Sequence, residues 1–317
     1  MAQTWRKRGA VAITGAVLLL CGGLPSAAAD TADSADKADT DTDILLVHGY
    51  GSSCAAMNKA KDYFKKEEGH DGAVKTLGYY AKEAAREDDP GDDFHCDDYF
   101  KKNATTNTDI QYVARDLAKY VYEHYTKKGK PVNIVAHSMG GLVTRVALLG
   151  SGQHWNDPNF PDKRLNVPNA VTLSTPHQGV IDTDKHSTDQ WQQMHPKSSF
   201  MKRLHRGDSE LNGDWNCGGS GRCTTDWTLV GSHEDGTVNY ESGIDEGNPA
   251  HKKFGYQDDD DDGGNVTHKG IRKLHSGRYN LHYWHAGGHP RHETRKGWAP
   301  LETAYNAATH RDDNLPK

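Results

Sequence analysis

The stretch VNIVAHSMGGLVTR, residues 132–145, places a serine where a buried strand pattern changes into a helical one. The residues before the serine are mostly apolar, and those after Gly141 are apolar at helical spacing. A change from strand to helix within three residues requires a tight bend, and the small residues Ala136, Gly140 and Gly141 let the two backbones approach. Ser138 at the apex then presents its hydroxyl outside the sheet, in the geometry of a nucleophile elbow.

A serine hydroxyl becomes an effective nucleophile when an imidazole takes its proton and a carboxylate orients that imidazole. The best candidate for the carboxylate is Asp235 in LVGSHEDGTVNY, because it follows a predicted strand and precedes Gly236, which allows a sharp turn. Glu234 and Asp245 are the alternatives.

The base is harder to identify, because the chain has 19 histidines. The chain order Ser, Asp, His places it after Asp235. His268 in GGNVTHKGIRKL lies in a loop between glycines, just before the apolar residues Ile271 and Leu274, where a base that reaches back over a sheet should lie. His275 and His282 are the alternatives.

Uninterrupted apolar runs of strand length recur along the chain and predict strands that are buried on both faces. They are residues 43–50, 74–80, 132–138, 167–176 and 226–232. The stretch 109–130 carries its apolar residues on one helical stripe. This alternation predicts an α/β fold with a mostly parallel sheet and helices on both faces. The reactive groups of such a sheet lie beyond the carboxyl ends of its strands.

The first 29 residues have the parts of a secretory signal peptide. Three basic residues at 6–8 precede an apolar run to Leu20 and a small-residue cleavage site at 27–29. We therefore expect a secreted, extracellular protein, with a disordered acidic leader at 30–42 and a folded domain at 43–317. No other segment is apolar for long enough to span a bilayer, so no stable membrane anchor is expected.

The net charge of the mature chain limits which partners it can bind. Without the signal peptide, 35 Lys and Arg face 44 Asp and Glu, a formal charge of −9. Such a charge opposes binding to nucleic acid. The 317 residues, 34% of them hydrophobic, suffice for one large domain with its own core, and we expect a monomer.

Four cysteines remain after removal of the signal peptide, which predicts two disulfides in an exported chain. Three pairings exist. Cys217 and Cys223 flank the short glycine-rich run of CGGSGRC and pair most easily with each other, which leaves Cys54 with Cys96. A zinc site is the alternative, although the chain has no Cys-x-x-Cys pair.

Six successive motifs resemble those of the small secreted bacterial lipases and esterases of the α/β-hydrolase fold, whose elbow reads Ala-x-Ser-x-Gly. They are LLVHGYGSS, IVAHSMGGLVTR, LSTPHQG, QMHPKSSFMKRL, VGSHEDGTVNY and VTHKGI, within residues 44–274. The resemblance implies a chain that enters the fold at the strand before His48, without the two antiparallel strands of many larger relatives. It does not extend to LHYWHAGGHPRH or to the five aspartates at 258–262.

The resemblance implies a carboxylic ester hydrolase, a triacylglycerol lipase or esterase, that acts on an ester or lipid substrate without a cofactor or metal. In this scheme Ser138 attacks the ester, His268 accepts and returns the proton, and Asp235 orients His268. Two backbone amides would hold the oxyanion: that of Met139, at the start of the helix, and that of Tyr50.

Several other hypotheses remain open. An acyltransferase or polyester depolymerase would use the same triad, and a catalytically inactive secreted binding module would keep a vestigial elbow. A metal site at His282, His285, His289 and His292, or calcium at 258–262, is disfavoured against solvated loops.

An insertion at residues 180–225 is either a small cap that lines an acyl pocket or part of the core as one ordinary helix. Both interpretations depend on the same apolar residues: Trp191, Met194, Phe200, Met201 and Leu204.

Overall fold

A computed structural model describes residues 39–87, 94–152, 155, 157–206, 225–247, 252–258, 265–285 and 291–310 of the chain. Several predicted features lie outside these residues: the signal peptide at 1–29, most of the leader at 30–42, the pair Cys217 and Cys223, His289 and the aspartates at 259–262.

The described residues contain one nine-stranded sheet in the order β3-β2-β1-β4-β5-β6-β7-β8-β9. Its strands are β1 (Ile44–Val47), β2 (Val74–Tyr80), β3 (Asp98–Ala104), β4 (Asn133–His137), β5 (Asn169–Leu173), β6 (Asp226–Ser232), β7 (Lys252–Tyr256), β8 (Tyr279–His285) and β9 (His292–Gly297). Strands β1 to β7 pair in parallel, and β8 and β9 are antiparallel additions at one edge. The predicted α/β-hydrolase fold is confirmed, and the first strand lies inside the sheet.

The α-helices of the described residues follow the strands along the chain. They are α1 (Asn58–Asp62), α2 (Ala81–Glu87), α3 (Ile110–His124), α4 (Met139–Gly150), α5 (Asp189–Gln193), α6 (Ser199–Leu204), α7 (Tyr240–Gly243) and α8 (Pro300–Thr309). Short 3₁₀ turns occur at Cys54–Met57 and Gly270–Arg272. None of the helices in the described ranges is both long enough and apolar enough to cross a bilayer.

Two apolar cores flank the sheet, and successive residues of β1 point into them alternately. Leu45 and Val47 pack on the side of α3 and α4, whereas Ile44 and Leu46 pack on the side of α8. All four side chains are fully buried. A strand that is covered on both faces needs no polar residues, which explains why β1 reads as an unbroken apolar run.

The insertion differs from the prediction of one helix, because residues 180–206 contain two short helices, α5 and α6. Its apolar residues are buried in the same core as α3 and α4: Trp191, Met194, Phe200, Met201 and Leu204. The described part of the insertion therefore extends the core. Part of the histidine-rich stretch LHYWHAGGHPRH forms β8, which pairs with β9 at the sheet edge.

The structure joins Cys54, at the start of a 3₁₀ turn, to Cys96, which precedes β3. Their Cα atoms lie 5.6 Å apart. This is one of the two predicted pairs, and it fastens the segment after β1 to the chain that leads into β3.

Candidate active site

Ser138 lies between the last residue of β4 and the first residue of α4, with φ of 56° and ψ of −132°. A residue other than glycine adopts such a φ only where its surroundings impose it. A Cβ on Gly140 would lie 2.5 Å from the carbonyl oxygen of His48, and a Cβ on Gly49 would lie 2.6 Å from the Cβ of Ser138. Glycines at these two places let α4 and the loop after β1 close around the serine.

Three side chains from distant parts of the chain form one line of hydrogen bonds. His268 Nε2 lies 3.0 Å from Ser138 Oγ, and His268 Nδ1 lies 2.8 Å from Asp235 Oδ2. The carboxylate accepts from Nδ1–H, which leaves Nε2 to accept the proton of the serine hydroxyl. The structure thus brings the three predicted residues together in the order that nucleophile, base and acid require.

Asp235 is held in a turn after β6 and is only 4% exposed. Its Oδ1 accepts from the amides of Thr237 (2.8 Å) and Val238 (3.0 Å). Burial by itself raises the pKa of Asp235, but the hydrogen bond and charge of His268 and the Val238 amide outweigh it and hold the pKa below its ordinary value. The carboxylate is therefore ionised at neutral pH, as an orienting acid must be.

The two predicted oxyanion residues adjoin the serine through their backbones. Met139 is the first residue of α4, so its N–H has no acceptor within the helix. Tyr50 follows Gly49, which lies in close contact with Ser138. Both segments can therefore present N–H groups at one side of the hydroxyl.

The alternative acids and bases bond to other partners. Of the acids, Glu234 accepts from the Val266 amide (2.5 Å), and Asp245 lies 3.4 Å from Arg145. Of the bases, His275 lies 3.2 Å from Glu67, and His282 lies 3.4 Å from Glu293. These contacts occupy each group away from Ser138, which favours Asp235 and His268 for the two roles.

His137 is a candidate positioning residue that the sequence did not reveal. Its Nε2–H donates to the carbonyl oxygen of His268 (2.6 Å), and the two rings lie 4.7 Å apart. Burial, and then the nearby His268 and Arg272, hold the pKa of His137 well below its ordinary value, so the ring is neutral. A neutral donor fixes the loop of the base without adding a charge beside it. The signal in the sequence is only its place directly before Ser138.

Within the described residues, the one cluster with several candidate metal ligands consists of Cys54, Glu83 and Cys96. Its two sulfurs are bonded to each other, so neither is available as a thiolate ligand. The histidines considered as an alternative metal site are not part of any such cluster in the described ranges: His282 lies on β8 and His292 on β9.

Comparison with known proteins identifies related chains. Residues 39–212, more than half of the chain, match the model of the family described as "Putative serine esterase (DUF676)". No curated protein matches the chain.

Three solved structures illustrate the likeness. Aspergillus fumigatus lipase B is 14% identical at a TM-score of 0.48, over 73% of this chain and 49% of that one. Bacillus licheniformis lipase BlEst2 in its propeptide form is 19% identical at a TM-score of 0.43, over 76% of this chain and 49% of that one. Legionella pneumophila phospholipase PlaB is 12% identical at a TM-score of 0.40, over 64% of this chain and 45% of that one. The chain thus spans about half the length of these proteins.

Proposed function

We propose that this chain, which belongs to the serine esterase family DUF676, is a secreted enzyme that cleaves the carboxylic ester bonds of lipids, triacylglycerols among them. Membership of a family described as putative serine esterases supports carboxylic ester hydrolysis. The lipid substrate, the roles of Ser138, His268 and Asp235, and the export of the protein are the further steps of the proposal.

The observation that carries the proposal is the hydrogen-bond line from Ser138 Oγ through His268 to Asp235, with steps of 3.0 and 2.8 Å. His268 accepts the hydroxyl proton as Ser138 attacks the ester carbonyl, and it returns that proton to the leaving alcohol. Water then attacks the acyl-enzyme, again with His268 as base, and releases the carboxylic acid. Asp235 stabilises the imidazolium that forms in both steps.

The tetrahedral intermediates carry negative charge on the former carbonyl oxygen. In this mechanism the amides of Met139 and Tyr50 donate to that oxygen, and the N-terminus of α4 adds a favourable dipole. Only backbone atoms are required, so the side chains of these two residues are free to serve substrate binding or packing.

Apolar groups flank the site and support an ester with an acyl chain. Ile181 is 52% exposed, and its amide donates to the carbonyl oxygen of Thr237 in the turn of the catalytic acid (3.0 Å). The partly exposed ring of Tyr50 lies 5.2 Å from the buried ring of Trp191. An acyl chain in contact with either surface would remove apolar area from water.

The test is hydrolysis of p-nitrophenyl esters of increasing chain length and of emulsified triacylglycerol. We expect Ser138→Ala to lose on the order of 10⁴ to 10⁶ in kcat while it keeps its fold, and Ser199→Ala, an exposed serine on α6, to match the wild type. A folded Ser138→Ala protein with wild-type turnover would refute the proposal. Added alcohol as a competing acceptor would reveal an acyltransferase by its ester product.

Export is proposed from the sequence of residues 1–29, and the disulfide between Cys54 and Cys96 supports it, because such bonds persist in oxidising compartments. N-terminal sequencing of protein recovered from the medium of an expressing bacterium should give a chain that starts at Asp30. Full-length protein retained in the cytosol would contradict this part of the proposal.

A further inference from the structure

The orientation of one peptide unit decides whether Tyr50 can serve the oxyanion. The carbonyl oxygen of Gly49 and the amide of Tyr50 belong to the same trans peptide, so they point in opposite directions. Groups that hold the Gly49 oxygen on the side away from Ser138 therefore turn the Tyr50 N–H toward the serine. Such a peptide can flip by rotation about its neighbouring dihedrals, so its orientation needs a cause.

That carbonyl oxygen accepts from the amide of Ser52 (3.3 Å) and contacts two buried side chains. His48 Nδ1 lies 3.0 Å from it, and Tyr79 Oη, which shares its hydrogen between the carbonyls of His48 and Gly49, lies 3.1 Å from it. The His48 and Tyr79 rings are stacked, with centroids 4.2 Å apart and planes within 6°. Both side chains are completely buried, so water does not compete for either contact.

The protons of His48 follow from its partners. A carbonyl oxygen can only accept, so Nδ1 carries hydrogen. On the other side of the ring, Nε2 lies 3.1 Å from Glu83 Oε2, which also accepts from the amides of Tyr79 (3.1 Å) and Tyr80 (2.8 Å). Glu83 thus holds the ring of His48 at Nε2, on the side opposite the Gly49 carbonyl.

Glu83 is ionised in the folded protein. Burial by itself raises the pKa of Glu83, but the hydrogen bond and charge of His48, followed by the amides of Tyr80 and Tyr79, bring it below its ordinary value. The second oxygen, Oε1, accepts from the amide of Cys54 (2.7 Å), the residue that is disulfide-bonded to Cys96. Glu83 thus joins the ring of His48 to a covalently fastened part of the chain.

We propose that His48, Tyr79 and Glu83 are positioning residues that lock the Gly49–Tyr50 peptide with its N–H toward Ser138, so that the oxyanion site exists before substrate binds. The assignment rests on the proposed function, because it concerns the same site. None of the three side chains touches the reacting atoms; each acts through the peptide.

The first test replaces Tyr79 by phenylalanine, which removes one donor and keeps the ring. We expect kcat for a p-nitrophenyl ester and the rate at which a fluorophosphonate labels Ser138 to fall together, on the order of tenfold, with KM unchanged. Tyr256→Phe is the matched control, since Tyr256 is also fully buried and its hydroxyl also bonds a backbone carbonyl, that of Trp298 (2.9 Å). The control should match the wild type in both rates.

The second test uses the two amide residues that imitate different ring nitrogens. The side-chain nitrogen of asparagine takes the place of Nδ1, and that of glutamine takes the place of Nε2. The lock requires a donor at the Nδ1 position, so His48→Asn should retain on the order of tenfold more kcat than His48→Gln. If His48 were needed only as the partner of Glu83, His48→Gln would retain more kcat than His48→Asn.

The outcomes separate this proposal from the proposed function. Wild-type protein whose Ser138 is not labelled would refute the proposed function, and the lock with it. Labelled wild type together with wild-type rates in folded Tyr79→Phe would overturn the lock alone, as would equal activity in both His48 variants. Near-ultraviolet circular dichroism and the melting temperature establish folding. If neither His48 variant folds, Tyr79→Phe decides.

Discussion

At the scale of single residues, His268 is held by three contacts. Nδ1 of His268 binds Asp235, Nε2 faces Ser138 Oγ, and the backbone carbonyl accepts from His137. Movement of the ring would break the contacts to Ser138 and Asp235 at once. In the proposed mechanism nucleophile and base therefore act as one unit, and removal of either should remove the function of both.

This coupling gives a quantitative prediction for the base. His268→Ala should lose as much kcat as Ser138→Ala, and the double variant should be no worse than either. Steady-state kinetics on a soluble p-nitrophenyl ester measures all three.

His275 and His282 provide matched controls, because each faces a glutamate away from the site: Glu67 at 3.2 Å and Glu293 at 3.4 Å. Their alanine variants should stay within about tenfold of wild type, as expected of residues that support only local structure. An active His268→Ala protein alongside an inactive His275→Ala or His282→Ala protein would show that the base was assigned to the wrong histidine.

The residues proposed to react were easier to find in the sequence than the residues proposed to position them. Ser138, Asp235 and His268 each follow a strand or lie in a glycine-flanked loop, in a chain order that the chemistry requires. Tyr79 and Glu83 bind backbone atoms of segments about 30 residues away. No spacing or composition encodes such contacts, because any residue type supplies the same carbonyl or amide.

At the scale of elements, the 3₁₀ turn Cys54–Met57 connects the two halves of the site. The Cys54 amide binds Glu83, which contacts His48. The carbonyl of Ala56 accepts from the guanidinium of Arg272, in the turn that follows His268. The disulfide to Cys96 is the covalent support of this turn.

Reduction of the Cys54–Cys96 bond should therefore lower activity before it changes secondary structure. Opening a loop of this length costs about 4 kcal/mol of stability by chain-entropy estimates, and the loosened turn misplaces the peptide of Tyr50. Ester hydrolysis and far-ultraviolet circular dichroism followed during titration with a phosphine reductant measure the two effects. Full activity after complete reduction, with free thiols counted at the same time, would count against the connection.

Most strands buried on both faces were predictable, and the strands at the two edges were not. Strand β7, KKFGY, is the exception: it is buried throughout, but its two lysines hide the apolar pattern. Strands β1, β2, β4, β5 and β6 appear as apolar runs because helices cover both of their sides. Strand β3, DYFKKNA, and strand β9, HETRKG, lie at the two ends of the sheet and have few buried residues. Their sequences therefore resemble those of loops, and only pairing with a neighbour makes them strands.

At the scale of the whole molecule, buried titratable groups link stability to pH. Burial holds the pKa values of His137 and His177 well below 6.5. In the unfolded chain these histidines take up protons as the pH falls below about 6.5, while the folded chain does not. Their contribution is complete above that value and is lost as the pH falls toward their folded pKa values.

The melting temperature should accordingly fall from about pH 6.5 downward. A second decline is expected near pH 4, where Asp235 and Glu83, whose pKa values are lowered in the folded protein, bind protons on unfolding. Each unit of pKa difference corresponds to about 1.4 kcal/mol, and each kcal/mol to about 2–4 °C. Calorimetry at constant ionic strength measures the profile; a flat melting temperature between pH 7 and 5 would exclude the histidine contribution.

The two edge strands also bear on how molecules of this protein meet one another. The outer residues of β9 include Arg295 and Lys296, and those of β3 include Lys102, all of them exposed. A strand from a second molecule that added to either edge would have to bring its backbone against these charges, and positive edges of two copies would repel. The sheet thus opposes its own extension into fibres at both ends, which favours a protein that stays dispersed at high concentration.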